Sequence, residues 1–206
     1  MIFNEVLDKM QQPSKEALEM SLADCHVKGV FSLVIDGDRD ENGNLIRGTL
    51  TRVFIATKKI KPFDIQMHSH RYNLTIGVVS GSFTHHIADE CRISQSSTEN
   101  IVTTKKYEYK SPLNGGSGLK YIGKSRHKLS SYSIPIGAEI SLPCDLIRTV
   151  SVSKGTIWIV KEGGFRTDSS VVLGVPFQTE GLYNAPKQYQ INDMFTLVKE
   201  KLEKVI

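Results

Sequence analysis

Cysteine is scarce in this 206-residue chain: Cys25, Cys91 and Cys144 are the only three, and no C-x-x-C spacing occurs. An odd count without paired spacing argues against a disulfide framework and for a reducing cytoplasm. Long apolar runs are missing too. The longest, such as Val30–Ile35, are far too short to cross a bilayer, so no membrane partner is expected. The N-terminus, Met-Ile-Phe-Asn-Glu-Val-Leu-Asp-Lys, lacks a basic segment followed by an apolar core, which excludes a signal peptide as the expectation. No fixed-period repeat, low-complexity tract or βαβ alternation is present.

What is present is ordinary globular composition, 39% hydrophobic and 23% charged, which excludes wholesale disorder. The length fits one large β domain with helical ends, or two small domains. A net charge of +4 favours anionic partners without requiring nucleic acid. The excess is local: Glu99 to Lys128 holds seven Lys/Arg against two Glu, interleaved with Tyr107, Tyr109 and Tyr121. Such a cluster is ordinarily a solvated face, so nucleic acid is not the expected partner.

Taken in order, residues 1–28 read as helical, with Ser14 capping a second helix that carries Ala17, Leu18, Leu22 and Cys25 and ends at Gly29. From Val30 the pattern turns to β. Val30–Ile35 and Leu45–Thr57 flank an acidic turn with Asn42-Gly43 at its tip, a hairpin signal. Asp38-x-Asp40-x-Asn42-Gly43 also matches half of a calcium loop, but its twelfth position is Thr49 and strands flank it. Further strands are expected over 82–88, 105–110, 128–134, 139–142, 147–153 and 156–160, with 171–178 irregular and a closing helix over 192–205. Met194, Leu197, Val198, Leu202 and Val205 form that helix's apolar stripe, which reads as packing rather than a membrane face.

One motif is refused. Gly118-(x4)-Gly123-Lys124-Ser125 fits the phosphate-loop pattern, which works between a buried strand and a helix. Here a glycine-rich coil precedes it and β-like sequence follows.

The stretch Pro62–Gly81 carries His68, His70 and Tyr72 at alternating positions, so all three share one face of an extended segment. Two imidazoles on one face chelate a metal or form a polar patch inside a barrel. Together with Gly137-(x5)-Pro143-(x4)-Arg148, this stretch resembles the two motifs of the cupin superfamily, G-(x5)-H-x-H-(x3-4)-E-(x6)-G and G-(x5)-P-x-G-(x2)-H-(x3)-N. The resemblance spans roughly Val30 to Val160. It implies a mainly β, cupin-like jelly-roll barrel (30–178) with helical segments at the termini (1–28 and 190–206), as one domain over 1–206. It also implies a homodimer as the family's common state.

Five positions depart from the motifs that hold metal in such barrels: Pro62 replaces the opening glycine, Leu74 or Thr75 the glutamate, Asp145 the second motif's inner glycine, Arg148 the histidine and Val152 the asparagine. Arginine has no lone pair to offer a cation. Its planar fork instead fits a carboxylate or phosphate. The expectation is a pocket for a small anionic ligand, such as a nucleotide, sugar nucleotide or carboxylate metabolite, lined by His68, His70, Tyr72, Tyr132 and Arg148, with no cofactor. If it is an isomerase, His70 or His68 is the base and Tyr72 or Tyr132 the proton donor. The alternative is an Fe- or Zn-dependent oxygenase or isomerase holding metal on His68 and His70, with His127, Asp64 or His85 as third ligand. A scaffold-only barrel is the third reading, and it demands an apolar mouth.

Overall fold

The computed structural model describes residues 6, 9–10, 13–91, 100–110, 116–174 and 191–203. The described strands are β1 (Val30–Asp36), β2 (Thr51–Ala56), β3 (Tyr72–Ser80), β4 (Phe83–Glu90), β5 (Ile101–Lys110), β6 (Gly118–Ile134), β7 (Glu139–Leu142), β8 (Arg148–Val152), β9 (Ile157–Phe165) and β10 (Ser170–Gly174). Two helices accompany them, α1 (Lys15–Met20) and α2 (Ile191–Leu202). The strands form two antiparallel five-stranded sheets, ordered β1-β2-β9-β3-β7 and β10-β5-β6-β4-β8.

The chain crosses between the sheets at β3 to β4, β6 to β7, β7 to β8, β8 to β9 and β9 to β10, which is the winding of a jelly roll. Residues 60–69 complete it. Ile60 pairs with Val152 and His68 with Arg148, so this segment lies beside β8. Gly81 makes the β3–β4 corner at φ +84°, and a Cβ there would lie 2.7 Å from the Thr156 Cα. No other residue type meets both demands without strain.

Leu74, Ile76 and Val78 of β3, Trp158 and Val160 of β9, Phe83 of β4, and Val150 and Val152 of β8 fill the space between the sheets. Trp158 stacks on Phe54 at 5.2 Å and meets Phe83 edge-on at 5.6 Å. The outer face of the first sheet is covered by Val6, Met10 and α2, whose Ile191, Phe195 and Val198 pack on Phe31, Leu33, Val53 and Ile159. Of the stripe expected on the last helix, Val198 is core and Met194 and Leu197 pack against it partly buried. A fully buried side chain of this kind contributes about 1.5–3 kcal/mol. The Leu202 side chain lies outside the description. Val205 lies outside the described residues.

The jelly roll matches the sequence reading; several boundaries do not. The helix capped by Ser14 stops at Met20, short of Leu22 and Cys25. Leu22 leaves it to exchange backbone hydrogen bonds with Ser32 at 2.8 and 2.9 Å, and the Ser21 hydroxyl accepts from Val34 N. An edge strand thus outbids the next helical turn. The cap itself is as expected, with Ala17 N donating to Ser14 Oγ at 3.1 Å. Ser14→Ala is expected to cost about 1 kcal/mol in urea unfolding, and an unchanged midpoint would show that this turn adds nothing.

The second strand begins at Thr51, later than expected, because Gly48 N and Leu50 N donate to the Glu162 carboxylate. The acidic turn spends Asp40 on itself: its carboxylate accepts from Asn42 N, Asn44 N and Asn44 Nδ2. Gly118–Ser125 lies within β6, so the phosphate-loop match is strand, as its context required. Residues 92–99, 111–115 and 175–190, which include much of the polar stretch 89–104 that the sequence suggests is a loop, the start of the glycine-rich coil and the end of the 171–178 stretch, lie outside the described residues.

Candidate functional site

The site begins with one cross-strand pair. His68 N donates to Arg148 O at 3.0 Å and Arg148 N to His68 O at 3.1 Å. Residues that exchange both backbone bonds lie directly opposite, with side chains on the same face. On β8 that face carries Arg148, Val150 and Val152, and the two valines belong to the core between the sheets. Arg148 therefore points inward, and it is 7% exposed.

His68 does not lie in a regular strand, contrary to expectation; residues 67–71 make only isolated bridges, from His68 to Arg148 and to Val172, and β3 starts at Tyr72. The shared face survives nonetheless. The rings of His68 and His70 lie 4.8 Å apart, and His70 and Tyr72 5.8 Å apart. Backbone bonds fix the segment, with His70 N donating to Cys144 O at 2.9 Å.

Hydrogen bonds set the tautomers. His68 Nδ1 lies 2.7 Å from the Gln66 carbonyl, an acceptor, so Nδ1 carries the proton and Nε2 a lone pair. That buried Nε2 has no hydrogen-bond partner. The Arg148 guanidinium donates through Nη2 to His70 Nε2 at 3.0 Å, so this nitrogen is also the unprotonated one.

Two side chains join the cluster without any motif to announce them. His26 sits on the 24–29 turn, where Asp24 (φ 53°) and His26 (φ 64°) are both left-handed and the Asp24 carboxylate accepts from Gly29 N at 2.7 Å. Its ring lies 5.0 Å from that of His68. His85 pairs with Val150 and Tyr132 across the second sheet, and its Nδ1 is 2.7 Å from the Tyr132 hydroxyl. Alternation along Phe83, His85 and Ile87 was the signal available for His85; for His26 there was none. Tyr132 is 40% exposed, so it reaches solvent beside the buried arginine.

Tyr72 turns toward a different group. Its hydroxyl donates to Glu162 Oε1 at 3.2 Å, and Arg52 Nε donates to the same oxygen at 2.9 Å. With Gly48 N and Leu50 N on Oε2, this buried carboxylate is saturated by four donors. Glu162 thus neutralises Arg52. Among the described residues, no carboxylate lies within ion-pair distance of Arg148.

Electrostatics follow from that imbalance. Burial lowers His26 to about 3, with His68 and Arg148 adding to it. Burial lowers His68 to about 4, and Arg148 pushes the same way. His70 is driven well down by burial and then by Arg148, and His85 reaches about 3 for the same two reasons. Burial brings Arg148 itself down to about 10, leaving it charged at neutral pH. Burial also raises the Tyr72 phenol, Glu162 next.

Four imidazoles are thus neutral when folded and would each bind a proton near pH 6.5 when unfolded. The unfolded state holds more protons below that value, so their contribution is complete above about pH 6.5 and is lost as pH falls toward 4. Urea midpoints should be flat above pH 7 and drop between pH 6.5 and 4, with a shallower drop in His85→Gln. An unchanged slope in that variant would remove His85 from the account.

The metal alternative fits poorly. His68 Nε2 is free to ligate, but His70 Nε2 is taken by Arg148, whose charge would repel a cation. No three His, Cys, Asp or Glu side chains among the described residues converge as a cation site requires. Of the proposed third ligands, Asp64 is exposed and accepts from Lys61 N. His127 shares the face of Leu129, opposite to Tyr132, where it bonds Ser125 Oγ at 2.7 Å. Only His85 enters the cluster.

No family model matches the chain, and no curated protein matches it. Among solved structures it is similar to hydroxypropylphosphonic acid epoxidase from S. wedmorenis, at 10% identity and TM-score 0.36, over 73% of this chain and 57% of that one. It is also similar to Cellulomonas parahominis L-ribose isomerase, at 10% identity and TM-score 0.37, over 95% and 94% of the two chains. At such scores neither ligand nor reaction transfers to this chain.

Proposed function

We propose that the barrel interior binds a small anionic molecule through Arg148. The observation that supports this is the buried Arg148 guanidinium, which has no counter-charge among the described residues. Leaving an ion unpaired in a protein interior costs several kcal/mol, and folded proteins pair such groups. Arg52, also interior, has its carboxylate, whereas among the described residues the Arg148 side chain donates to a neutral imidazole. An incoming carboxylate or phosphate supplies the missing partner with two parallel bonds.

The polar ring of His26, His68, His70, His85 and Tyr132 around Arg148 speaks against a scaffold-only barrel. Binding or sequestration needs nothing more than this set. If the site also moves protons, as a metal-free isomerase does, the roles shift from those read in the sequence. Tyr72 is committed to Glu162 and His70 Nε2 to Arg148, which leaves the His68 lone pair as base and Tyr132 as donor.

Native mass spectrometry of untagged protein, with parallel metal analysis, tests the reading. A retained anionic mass without stoichiometric metal is expected. Near-stoichiometric iron or zinc that is lost in a His68→Ala variant would overturn it in favour of the metalloenzyme.

A further inference from the structure

Besides the charge on Arg148, the interior presents a lone pair with nothing to accept. His68 is held by the Gln66 carbonyl at 2.7 Å in the tautomer whose distal Nε2 is bare, and that atom is buried without a donor. Among the described residues no neighbour offers one: His70 turns its own unprotonated Nε2 to Arg148, and the contact with His26 is ring to ring at 5.0 Å. A buried acceptor without a donor is as costly as a buried donor without an acceptor. An anion alone leaves it unsatisfied, because carboxylate and phosphate oxygens are acceptors as well. What satisfies both groups is one molecule carrying an anionic group and a hydroxyl.

We infer that this site selects a hydroxylated anion, of the hydroxy-acid or sugar-acid class, with its anionic group on Arg148 and a hydroxyl donating to His68 Nε2. This rests on the anion reading above and narrows it. His68 and Arg148 are opposite one another in register, so the two functions are needed close together on the ligand, a few bonds apart. The turn bearing His26 lies against His68 and belongs to the wall that such a hydroxyl must approach.

Titration calorimetry with two matched pairs of probes tests it: glycolate against acetate, and gluconate against hexanoate, with glucose as the neutral control. The hydroxylated member of at least one pair should bind about tenfold tighter than its partner, the worth of one satisfied buried acceptor, and glucose should not compete. His68→Phe should erase that ratio, and His68→Gln, whose amide oxygen accepts, should retain most of it. Equal binding within both pairs, still dependent on Arg148, would overturn the hydroxyl inference and leave the anion reading standing. Binding of glucose as tight as gluconate, or no binding by any of the four anions, would overturn both. The wild-type ratios stand by themselves if a variant fails to fold.

Discussion

Arg148→Met should weaken binding of any retained anion by at least about thirtyfold while raising the urea midpoint of the unliganded protein. Removing one partner of a buried charge pair typically costs 2–5 kcal/mol of affinity, which sets the first figure. The second follows because methionine fills similar volume without a charge to desolvate. Replacing buried ions by apolar side chains is commonly neutral or stabilising by about 1–4 kcal/mol. The bond from Arg148 Nη2 to His70 Nε2 is lost, a cost of about 1 kcal/mol that offsets part of this gain. The two readouts move in opposite directions, the pattern of a group retained for function at the expense of stability. A variant that unfolds, while its folded fraction binds like the wild type, would make Arg148 a structural residue and remove the site.

Glu162 should behave in the contrary way. Glu162→Ala is expected to destabilise by about 3–5 kcal/mol, since it strands the Arg52 guanidinium. It also orphans the Tyr72 hydroxyl and the Gly48 and Leu50 amides. Glu162→Gln should not rescue it. Both carboxylate oxygens face donors only, so the amide nitrogen meets another donor whichever way it turns. Arg52→Met combined with Glu162→Leu should recover much of the loss, because neither charge is then left alone. Additive losses in the double variant would mean that the pair is not coupled. The contrast between the two arginines is the point: one interior guanidinium is spent on holding β2, β3 and β9 together, and the other is left over.

The barrel was legible because its strands alternate. Phe83 with His85, and Arg148 with Val150 and Val152, show their facing in the period of two. Gly81 announced the β3–β4 corner, since a left-handed residue pressed against backbone has to be glycine. Helix ends were misread where a tertiary partner competed, as at Leu22, which pairs with Ser32 instead of extending α1. The late start of β2 has a similar origin, in a carboxylate more than a hundred residues away.

Sequence alone determined the alternation of the strands, the shared facing of His68 and His70, and the arginine at position 148, while the jelly roll was what the motif resemblance implied. These are local periods and residue identities, and both are written in the chain. Tertiary structure alone decided which arginine is neutralised, which imidazole nitrogen is bare, and that His26 and His85 join the cluster. Those outcomes depend on distances between residues far apart in the chain, and on the water excluded when two sheets close over them. A lone pair becomes unsatisfied, and a guanidinium unpaired, only once the solvent that served them is gone.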